Sequence, residues 1–258
     1  MHPIIIELGG FTVYAYGLCI GMGAVLAALY AVRQGKKEFG LTVDHVNNLL
    51  LLMLGAGFVG GKAFLLFENP EYLRAPAQLF SGSGFVFYGS FLFCVPVLLW
   101  YLKRNALPVW PMLDLVAVAT CIVHGFGRVG CFMAGCCYGI PVDAAWGVVF
   151  TNPVCQAEPL NTPLFPTQAV EAGFIFLLFF VLLWLRGRRQ FPGQLFLLYV
   201  IVYAIGRAVL ELFRGDLDRG FIFQQLVSTS QFIAALIVMI AVYFYRIRRN
   251  ANLLSRDK

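Results

Sequence analysis

Residues 124–141 have the sequence HGFGRVGCFMAGCCYGIP, and the rest of the chain is best understood from this stretch. The stretch begins inside an apolar run and ends in a region rich in Gly and Pro. It contains His124, Arg128 and three of the seven cysteines of the chain. Because an arginine at membrane depth is costly and usually functional, Arg128 predicts a site here.

The composition around this stretch is that of a membrane protein. Of the 258 residues, 60% are hydrophobic and 12% are charged, and the mean hydropathy is +0.79. Soluble domains contain about 25% charged residues. Several apolar runs of roughly 18–24 residues are each long enough to cross a bilayer. We therefore predict an all-α, polytopic membrane protein with seven transmembrane helices that form one integral-membrane domain over residues 1–258.

The bounds of the predicted spans follow from these apolar runs. They are approximately 11–31, 47–67, 85–101, 112–127, 167–185, 194–213 and 226–244. Residues 131–166 form the longest connection and are rich in Pro, Gly, Asn and Asp. We expect this connection to be an irregular loop with an amphipathic segment at the membrane surface.

The positive charges predict the orientation of the chain. Thirteen of the nineteen Lys and Arg residues follow predicted spans one, three, five and seven. Because cytoplasmic segments are enriched in these residues, that side is predicted to be cytoplasmic. The net charge of +6 therefore reflects topology, and no nucleic-acid partner is expected. Four cations gather instead at the outward-facing ends of spans four and six: Arg128, Arg207, Arg214 and Arg219.

The outward-facing ends of the spans define a candidate site. Arg128 and Arg207 come from different spans, and arginine is suited to bidentate contact with phosphate. A site at this depth meets the head groups of the outer leaflet of the lipid bilayer, so we predict a lipid phosphate as the ligand. A structural alternative is that Arg207 simply pairs with Glu211, four residues later on the same helix. The other candidate residues are Tyr16, Tyr88, His124, Cys131, Cys136, Cys137, Gln168, Glu171, Tyr203 and Arg214.

Several short motifs occur in the order found in one protein family. They are Tyr16-Gly17-Leu18, Gly60-Gly61-Lys62, Tyr88-Gly89, Gly127-Arg128-Val129-Gly130-Cys131-Phe132, Gly139, the segment from Pro166 to Glu171, and Tyr203, Arg207, Glu211 and Arg214. The chain resembles the bacterial prolipoprotein diacylglyceryl transferases over nearly its whole length, as a Cys-rich variant. The resemblance implies a multi-pass protein of the bacterial inner (cytoplasmic) membrane, with the active site facing the outer leaflet and the periplasm.

The resemblance also implies an activity. The family moves the diacylglyceryl group of phosphatidylglycerol to the thiol of the lipobox Cys in a prolipoprotein signal peptide. A thioether forms, glycerol 1-phosphate leaves, and no metal or soluble cofactor is expected. Arg128 and Arg207 match the arginines that handle the phosphate, Glu211 matches the acid that orients Arg207, and Tyr16 and Tyr203 match family tyrosines. The glycines expected to lie against the substrates are Gly127, Gly130 and Gly139.

Two departures from the family pattern affect the chemistry. Many members carry Asn and Glu where this chain has Cys131 and Cys136, and His near the position of Tyr88. The usual candidate base is therefore absent. His124 lies one helical turn from Arg128 and is the natural replacement. The alternative is that His124 is a packed histidine bonded to a backbone carbonyl.

The cysteines leave several interpretations open. Cys131, Cys136 and Cys137 line the head-group pocket, or a pair of them, or one with Cys155, forms a disulfide on the oxidising side. In a third interpretation, the three cysteines bind a metal together with His124, although Cys-x4-Cys-Cys matches the usual zinc spacings poorly. A nucleophilic cysteine that carries the lipid is a further interpretation. Two alternative functions follow: a relative that transfers lipid to a different acceptor, and a membrane thiol-redox or metal-binding protein.

Overall fold

A computed structural model of the protein describes residues 1–9, 11–68, 87–143, 145–215, 221–222 and 227–256. Helices dominate this part of the chain, as predicted. They are α1 (Ala15–Phe39), α2 (Val43–Glu68), α3 (Phe87–Arg104), α4 (Val109–Ala134), α5 (Thr167–Arg186), α6 (Gln194–Leu210) and α7 (Thr229–Arg256). A short 3-10 helix, Glu211–Phe213, continues α6.

Six helices in the described ranges are long and apolar enough to cross a membrane: α1, α2, α4, α5, α6 with its 3-10 turn, and α7. Large apolar side chains on their faces are exposed, as lipid contact requires, with Leu51 66% and Leu177 63% exposed. Helix α3 has 18 residues and ends in Lys103 and Arg104, and it is not among the six. The third predicted span, 85–101, which corresponds to α3, therefore stays a prediction. Its expected first residues, 85 and 86, lie outside the described ranges.

A β-hairpin that the sequence analysis missed precedes α1. Strand β1 (Ile4–Leu8) pairs antiparallel with β2 (Phe11–Tyr14), so α1 begins at Ala15 and the predicted start at Phe11 is wrong. Aromatic and β-branched residues such as those of β2 favour strands. Hydrophobicity alone does not distinguish a short apolar strand from the first turn of a helix. Two further strand pairs are β3 (Val148–Val149) with β4 (Pro163–Leu164), and β5 (Phe221–Ile222) with β6 (Val227–Ser228).

The chain forms two compact units, and the smaller one is Tyr30–Met112. Within it, α2 and α3 pack tightly at Gly60 and Gly89, where a Cβ on either residue would collide with the backbone carbonyl of the other. The hydroxyl of Ser90 donates a hydrogen bond of 2.9 Å to the carbonyl of Gly57. The small residues of α2 therefore serve close helix packing.

The larger unit combines Met1–Leu29 with Leu113–Lys258. Glycines of α4 allow close contact with its neighbours in this unit. A Cβ on Gly130 would lie 3.1 Å from the Cα of Tyr16 on α1, and a Cβ on Gly125 would lie 2.6 Å from the ring of Phe176 on α5. Helix α4 also continues to Ala134, past its predicted end at Gly127. A helix in apolar surroundings keeps its backbone hydrogen bonds satisfied by remaining helical, and this requirement outweighs the low helix propensity of glycine.

Asp114 of α4 stabilises the start of α6, and the sequence analysis overlooked it. Its side chain is 1% exposed and accepts hydrogen bonds from the backbone N–H groups of Gly193 (2.9 Å) and Phe196 (3.0 Å). Nη1 of Arg189 lies 3.8 Å from the same carboxylate. The first N–H groups of a helix have no partner within the helix, so Asp114 acts as a cap supplied by another helix. It fixes α6 against α4.

The connection between α4 and α5 is irregular, as predicted, and it is compact. Its own small core consists of the buried residues Phe150, Cys155, Ala157 and Leu164. Within residues 135–143 and 145–166 there are turns and the β3–β4 pair but no helix. The expected position of an amphipathic segment at the membrane surface stays a prediction.

Candidate active site

Helices α4 and α6 bring the predicted polar residues together in the larger unit. His124, Arg128 and Cys131 are spaced four and three residues apart on α4, so they share one face of the helix. On α6, the ring of Tyr203 meets the ring of His124 edge-on, with centroids 4.8 Å apart. The positive charges of Arg128 and Arg207 both act on His124 and on Tyr203. The two arginines therefore lie around the same pair of rings.

Glu171 of α5 is the hub of these contacts. Its Oε2 lies 3.1 Å from Nε of Arg128, and its Oε1 accepts a hydrogen bond of 3.2 Å from the hydroxyl of Tyr203. Nε2 of His124 lies 3.8 Å from the same Oε1. One buried carboxylate thus contacts side chains from α4 and α6. The sequence analysis named Glu171 only among the candidate residues of the site, and the pairing with Arg128 was not foreseen.

Arg207 has a carboxylate partner on its own chain segment. Nη1 of Arg207 lies 2.6 Å from Oε2 of Glu211, which is the first residue of the 3-10 helix. The contact is an ion pair without the alignment of a hydrogen bond. The pairing expected from the i, i+4 spacing is present in the structure.

The two ion pairs share a pattern of exposure. The side chains of Arg128 and Arg207 are each 17% exposed, whereas those of Glu171 and Glu211 are 5% and 3% exposed. The two arginine side chains are therefore partly accessible, whereas the carboxylates that pair with them are buried, and Nη1 of Arg207 is buried as well. This arrangement holds two positive charges in place at the edge of the accessible surface, where an anion can approach them.

Tyr16 and Gly127 border the same region. Tyr16 is 43% exposed in the first turn of α1 and interacts electrostatically with Arg128 and with Cys131 and Cys136. A Cβ on Gly127 would meet no atom within 4 Å, so open space lies beside this residue. An exposed phenol and an open space next to Arg128 provide room for a ligand.

The loop after α4 is held by the first residues of α5. The Gln168 side chain is fully buried, and its amide donates a hydrogen bond of 2.7 Å to the carbonyl of Cys136. The hydroxyl of Thr167 donates a hydrogen bond of 2.6 Å to the carbonyl of Cys137. Gln168, which the sequence analysis named as a candidate site residue, therefore holds this loop in position. Thr167 was missed, because an ordinary helix N-terminus gives no sign of this contact.

Gly139 is required by the packing of the loop. Its N–H donates a hydrogen bond of 3.0 Å to the carbonyl of Phe165, and its backbone bridges to Arg214. A Cβ here would lie 2.5 Å from the carbonyl oxygen of Phe165 and 2.7 Å from that of Phe213. The loop thus lies between the start of α5 and the end of the 3-10 helix, and this packing brings Arg214 beside the cysteines.

Three cysteines form a cluster next to the arginines. The sulfur atoms of Cys131, Cys136 and Cys137 all lie within 4.8 Å of one another, and none of the seven cysteines of the chain is in a disulfide. Hydrogen bonds from the Cys131 and Cys136 thiols lower the pKa of Cys137, and the charges of Arg214 and Arg128 lower it further. Hydrogen bonds with Cys131 and Cys137 raise the pKa of Cys136. Cys155 is buried in the core of the loop, outside this cluster.

Two of the residues named in the sequence analysis fall outside this picture. The side chain of Tyr88 lies outside the described residues, and its helix α3 belongs to the smaller unit. Arg219 also lies outside the described ranges.

Comparison with known proteins identifies the family of this chain. The profile of the family described as prolipoprotein diacylglyceryl transferase matches residues 3–247. The chain belongs to this family. The resemblance drawn from the motifs is thereby confirmed, and the protein is a transferase with several membrane-spanning helices.

Three relatives show how far the similarity extends. The phosphatidylglycerol–prolipoprotein diacylglyceryl transferase of Clostridium tetani (strain Massachusetts / E88) is 38% identical and aligns over 96% of this chain and 98% of its own length. The enzyme of the same name, numbered 2, from Clostridium perfringens (strain 13 / Type A) is 34% identical over 96% of both chains. The corresponding transferase of Limosilactobacillus reuteri (strain DSM 20016) is 31% identical over 98% of this chain and 93% of its own length.

Proposed function

We propose that this protein transfers the diacylglyceryl group of phosphatidylglycerol to the thiol of a prolipoprotein lipobox cysteine. The relative from Clostridium tetani, named for this activity, is similar over its full length. The observation that carries the proposal is the placement of Arg128 and Arg207 around His124 and Tyr203, with a buried carboxylate behind each arginine. Two partly exposed arginine side chains match the negative charge of a phosphodiester head group, and arginine is suited to bidentate contact with phosphate.

The main requirement of the reaction is stabilisation of the negative charge on the phosphate. The acceptor sulfur, as a thiolate, attacks the glyceryl carbon that bears the phosphate. A carbon–sulfur bond forms, the carbon–oxygen bond breaks, and the phosphate oxygen keeps the electron pair as glycerol 1-phosphate leaves. Negative charge therefore builds up on the phosphate in the transition state, where Arg128 and Arg207 stabilise it.

Glu171 and Glu211 act on the substrate through the arginines. An arginine in a membrane-embedded site needs an opposite charge, and a buried carboxylate supplies it. The carboxylates also restrict the rotation of each guanidinium, so the site is preorganised before the lipid arrives. We propose these two acids as positioning residues.

A base is needed because the thiolate, and not the thiol, is the nucleophile. We propose His124 for this step, with Tyr203 as the alternative. Nε2 of His124 lies 3.8 Å from Glu171, which stabilises the imidazole once it has taken up the proton. The edge-on ring of Tyr203 holds the imidazole in place.

The proposed topology places this chemistry at the outer leaflet of the inner membrane. Helix α3 is proposed as the third of seven spans, all within a single transferase domain, and the cations that follow the odd-numbered spans face the cytoplasm. Arg128, Arg207 and the loop of residues 135–166 then lie on the periplasmic side. Phosphatidylglycerol enters from the bilayer, and the signal peptide arrives after export.

Lipidation of a defined peptide tests the proposed function. Purified protein in phosphatidylglycerol vesicles is given a synthetic lipobox peptide, and the peptide is followed by gel shift while released glycerol phosphate is measured. We expect equal amounts of lipidated peptide and glycerol phosphate, and no shift with a Cys→Ser peptide or with vesicles that lack phosphatidylglycerol. Release of glycerol phosphate without a shift would indicate a different acceptor, and the absence of both would overturn the proposal.

A further inference from the structure

The cluster of Cys131, Cys136 and Cys137 has the composition of a metal site. The last turn of α4 supplies Cys131, and the turn after the helix supplies the other two. Cys137 has a left-handed backbone (φ +59°), and its sulfur lies on the same side as that of Cys136 despite their adjacency. The sequence analysis considered adjacent cysteines unsuited to one metal, and this local backbone conformation removes that objection.

The separation of the sulfur atoms is close to what zinc requires. Zn–S bonds of about 2.3 Å in tetrahedral geometry place neighbouring sulfurs about 3.8 Å apart. The three sulfurs here lie within 4.8 Å of one another, so a shift of at most about 1 Å brings them to this spacing. In the part of the chain that the structure describes, the cluster offers these three ligands, which leaves the fourth tetrahedral position open.

The surroundings of the cluster also favour a bound ion. Thr167 and Gln168 hold the carbonyls of Cys137 and Cys136 through hydrogen bonds of 2.6 and 2.7 Å, so the loop that carries both ligands is fixed. Three thiolates around Zn²⁺ carry a net negative charge. Arg128 and Arg214 act electrostatically on the cluster and balance that charge.

We propose that Cys131, Cys136 and Cys137 bind one Zn²⁺ ion and that its open fourth position takes the acceptor thiol. The second part rests on the proposed function. A thiol bound to Zn²⁺ loses its proton to His124, the base proposed above, and the thiolate forms beside Arg128. The sulfur then leaves the metal as it forms the carbon–sulfur bond with the lipid. Four sulfur ligands in a tetrahedron are typical of zinc, and the reaction requires no change in its oxidation state.

Metal content and Co²⁺ absorbance test the site independently of lipid transfer. Protein purified under reductant from zinc-supplemented cells is expected to hold one zinc per chain. Cys136→Ser and Cys137→Ser should each reduce the zinc content at least tenfold. Cys94→Ser is the matched control, because it removes a thiol elsewhere and its hydroxyl can still donate to the carbonyl of Met53. The Co²⁺-loaded protein should show sulfur-to-cobalt charge-transfer absorption that rises by about one third with a lipobox peptide and not with its Ser analogue.

A second measurement uses the wild-type protein. It is needed because a misfolded Ser variant would also lose zinc. Zinc should protect Cys131, Cys136 and Cys137 from alkylation in mass spectrometry, and a chelator should expose them. Zinc content no higher than in the triple Ser variant, with these thiols freely alkylated, would overturn the site, and so would a disulfide that appears without reductant. An active transferase without zinc also overturns it, whereas a zinc-bound chain that lipidates no peptide overturns the proposed function and leaves the metal site standing.

Discussion

Arg128 of α4 and Glu171 of α5 form an ion pair in which Nε lies 3.1 Å from Oε2. The other oxygen of Glu171 accepts the hydrogen bond of Tyr203 from α6. One carboxylate therefore fixes groups on both helices that supply the arginines. A change at this position should affect the phosphate site without any direct contact with the substrate.

Glu171→Gln tests this positioning role. Glutamine keeps an acceptor for Tyr203 but removes the charge beside Arg128. We expect the transfer rate to fall tenfold or more, because hydrogen bonds to charged groups contribute about 1.5–3 kcal/mol. The measurement is kcat and KM for phosphatidylglycerol, together with the thermal unfolding midpoint in detergent.

Two further variants serve as controls for that result. Glu171→Asp should recover part of the rate, since it restores the charge. Glu7→Gln, at an exposed acid on β1, should leave the rate unchanged. Wild-type kinetics in Glu171→Gln would show that the ion pair does not position Arg128 for the reaction.

The open space beside Gly127 gives a second prediction. A side chain there meets no protein atom at the position of its Cβ, and Gly127 directly precedes Arg128. We expect Gly127→Leu to fold normally and to raise KM for phosphatidylglycerol several-fold, because the leucine occupies the space proposed for the lipid. Gly173→Leu is the control, since Gly173 of α5 also faces open space. If Gly127→Leu has the same KM for phosphatidylglycerol as Gly173→Leu, the lipid does not use this space.

The cap formed by Asp114 gives a prediction about stability. Asp114→Ala leaves the buried N–H groups of Gly193 and Phe196 without their acceptor. Each unsatisfied group costs about 1–3 kcal/mol, so the unfolding midpoint in detergent should fall clearly. Asp114→Asn keeps one acceptor oxygen and should lose less. Equal midpoints in Asp114→Ala and in the wild type would mean that the cap does not stabilise α6.

Much of the fold was predictable because the helices are long apolar runs. The predicted bounds of the fifth span, 167–185, nearly coincide with α5 (Thr167–Arg186), because Pro166 and the arginines that begin at Arg186 mark its two ends. The end of α4 was predicted too early, at Gly127, because the bounds were taken from the apolar run, whereas apolar surroundings favour a helix that continues through Arg128 and the glycines beside it. The hairpin before α1 was missed because its strands, of five and four residues, are too short to show a clear periodicity.

The site, like the fold, was only partly predictable from the sequence. Arg128, Arg207 and Glu211 were predictable because charged residues in apolar runs are conspicuous, and the Arg207–Glu211 pair follows from helical spacing. The partner of Arg128 was not predictable, since Glu171 lies on another helix and only the packing of α4 on α5 brings them together. Asp114 could have been found, because it is an ionisable residue within a predicted span.

The packing of Gly139 gives a fourth prediction. A methyl group here would lie 2.5 Å from the carbonyl oxygen of Phe165, so the loop must shift. Overpacking of this kind costs about 1–3 kcal/mol. We expect Gly139→Ala to loosen the loop and to increase the alkylation rate of Cys136 and Cys137, measured by mass spectrometry.

Gly187→Ala is the control for this variant. Gly187 lies in open space with a right-handed helical backbone (φ −71°), so a methyl group is accommodated there. In Gly187→Ala, the alkylation rate of Cys136 and Cys137 should equal that of the wild type. If Gly139→Ala also behaves like the wild type, the contacts of Gly139 do not hold the loop in place.

The most direct test of the central claim is a double-mutant cycle on Arg128 and Arg207, read by glycerol phosphate release from phosphatidylglycerol vesicles in the presence of a lipobox peptide. If both arginines stabilise the same phosphate, Arg128→Gln and Arg207→Gln should each reduce release by about 100-fold or more. The double variant should lose less than the product of the two effects. Arg188→Gln, at an exposed arginine that contacts Trp184 after the end of α5, should keep the wild-type rate. Wild-type release by either single variant, or fully independent losses in the double variant, would contradict the claim that both arginines act on one lipid head group.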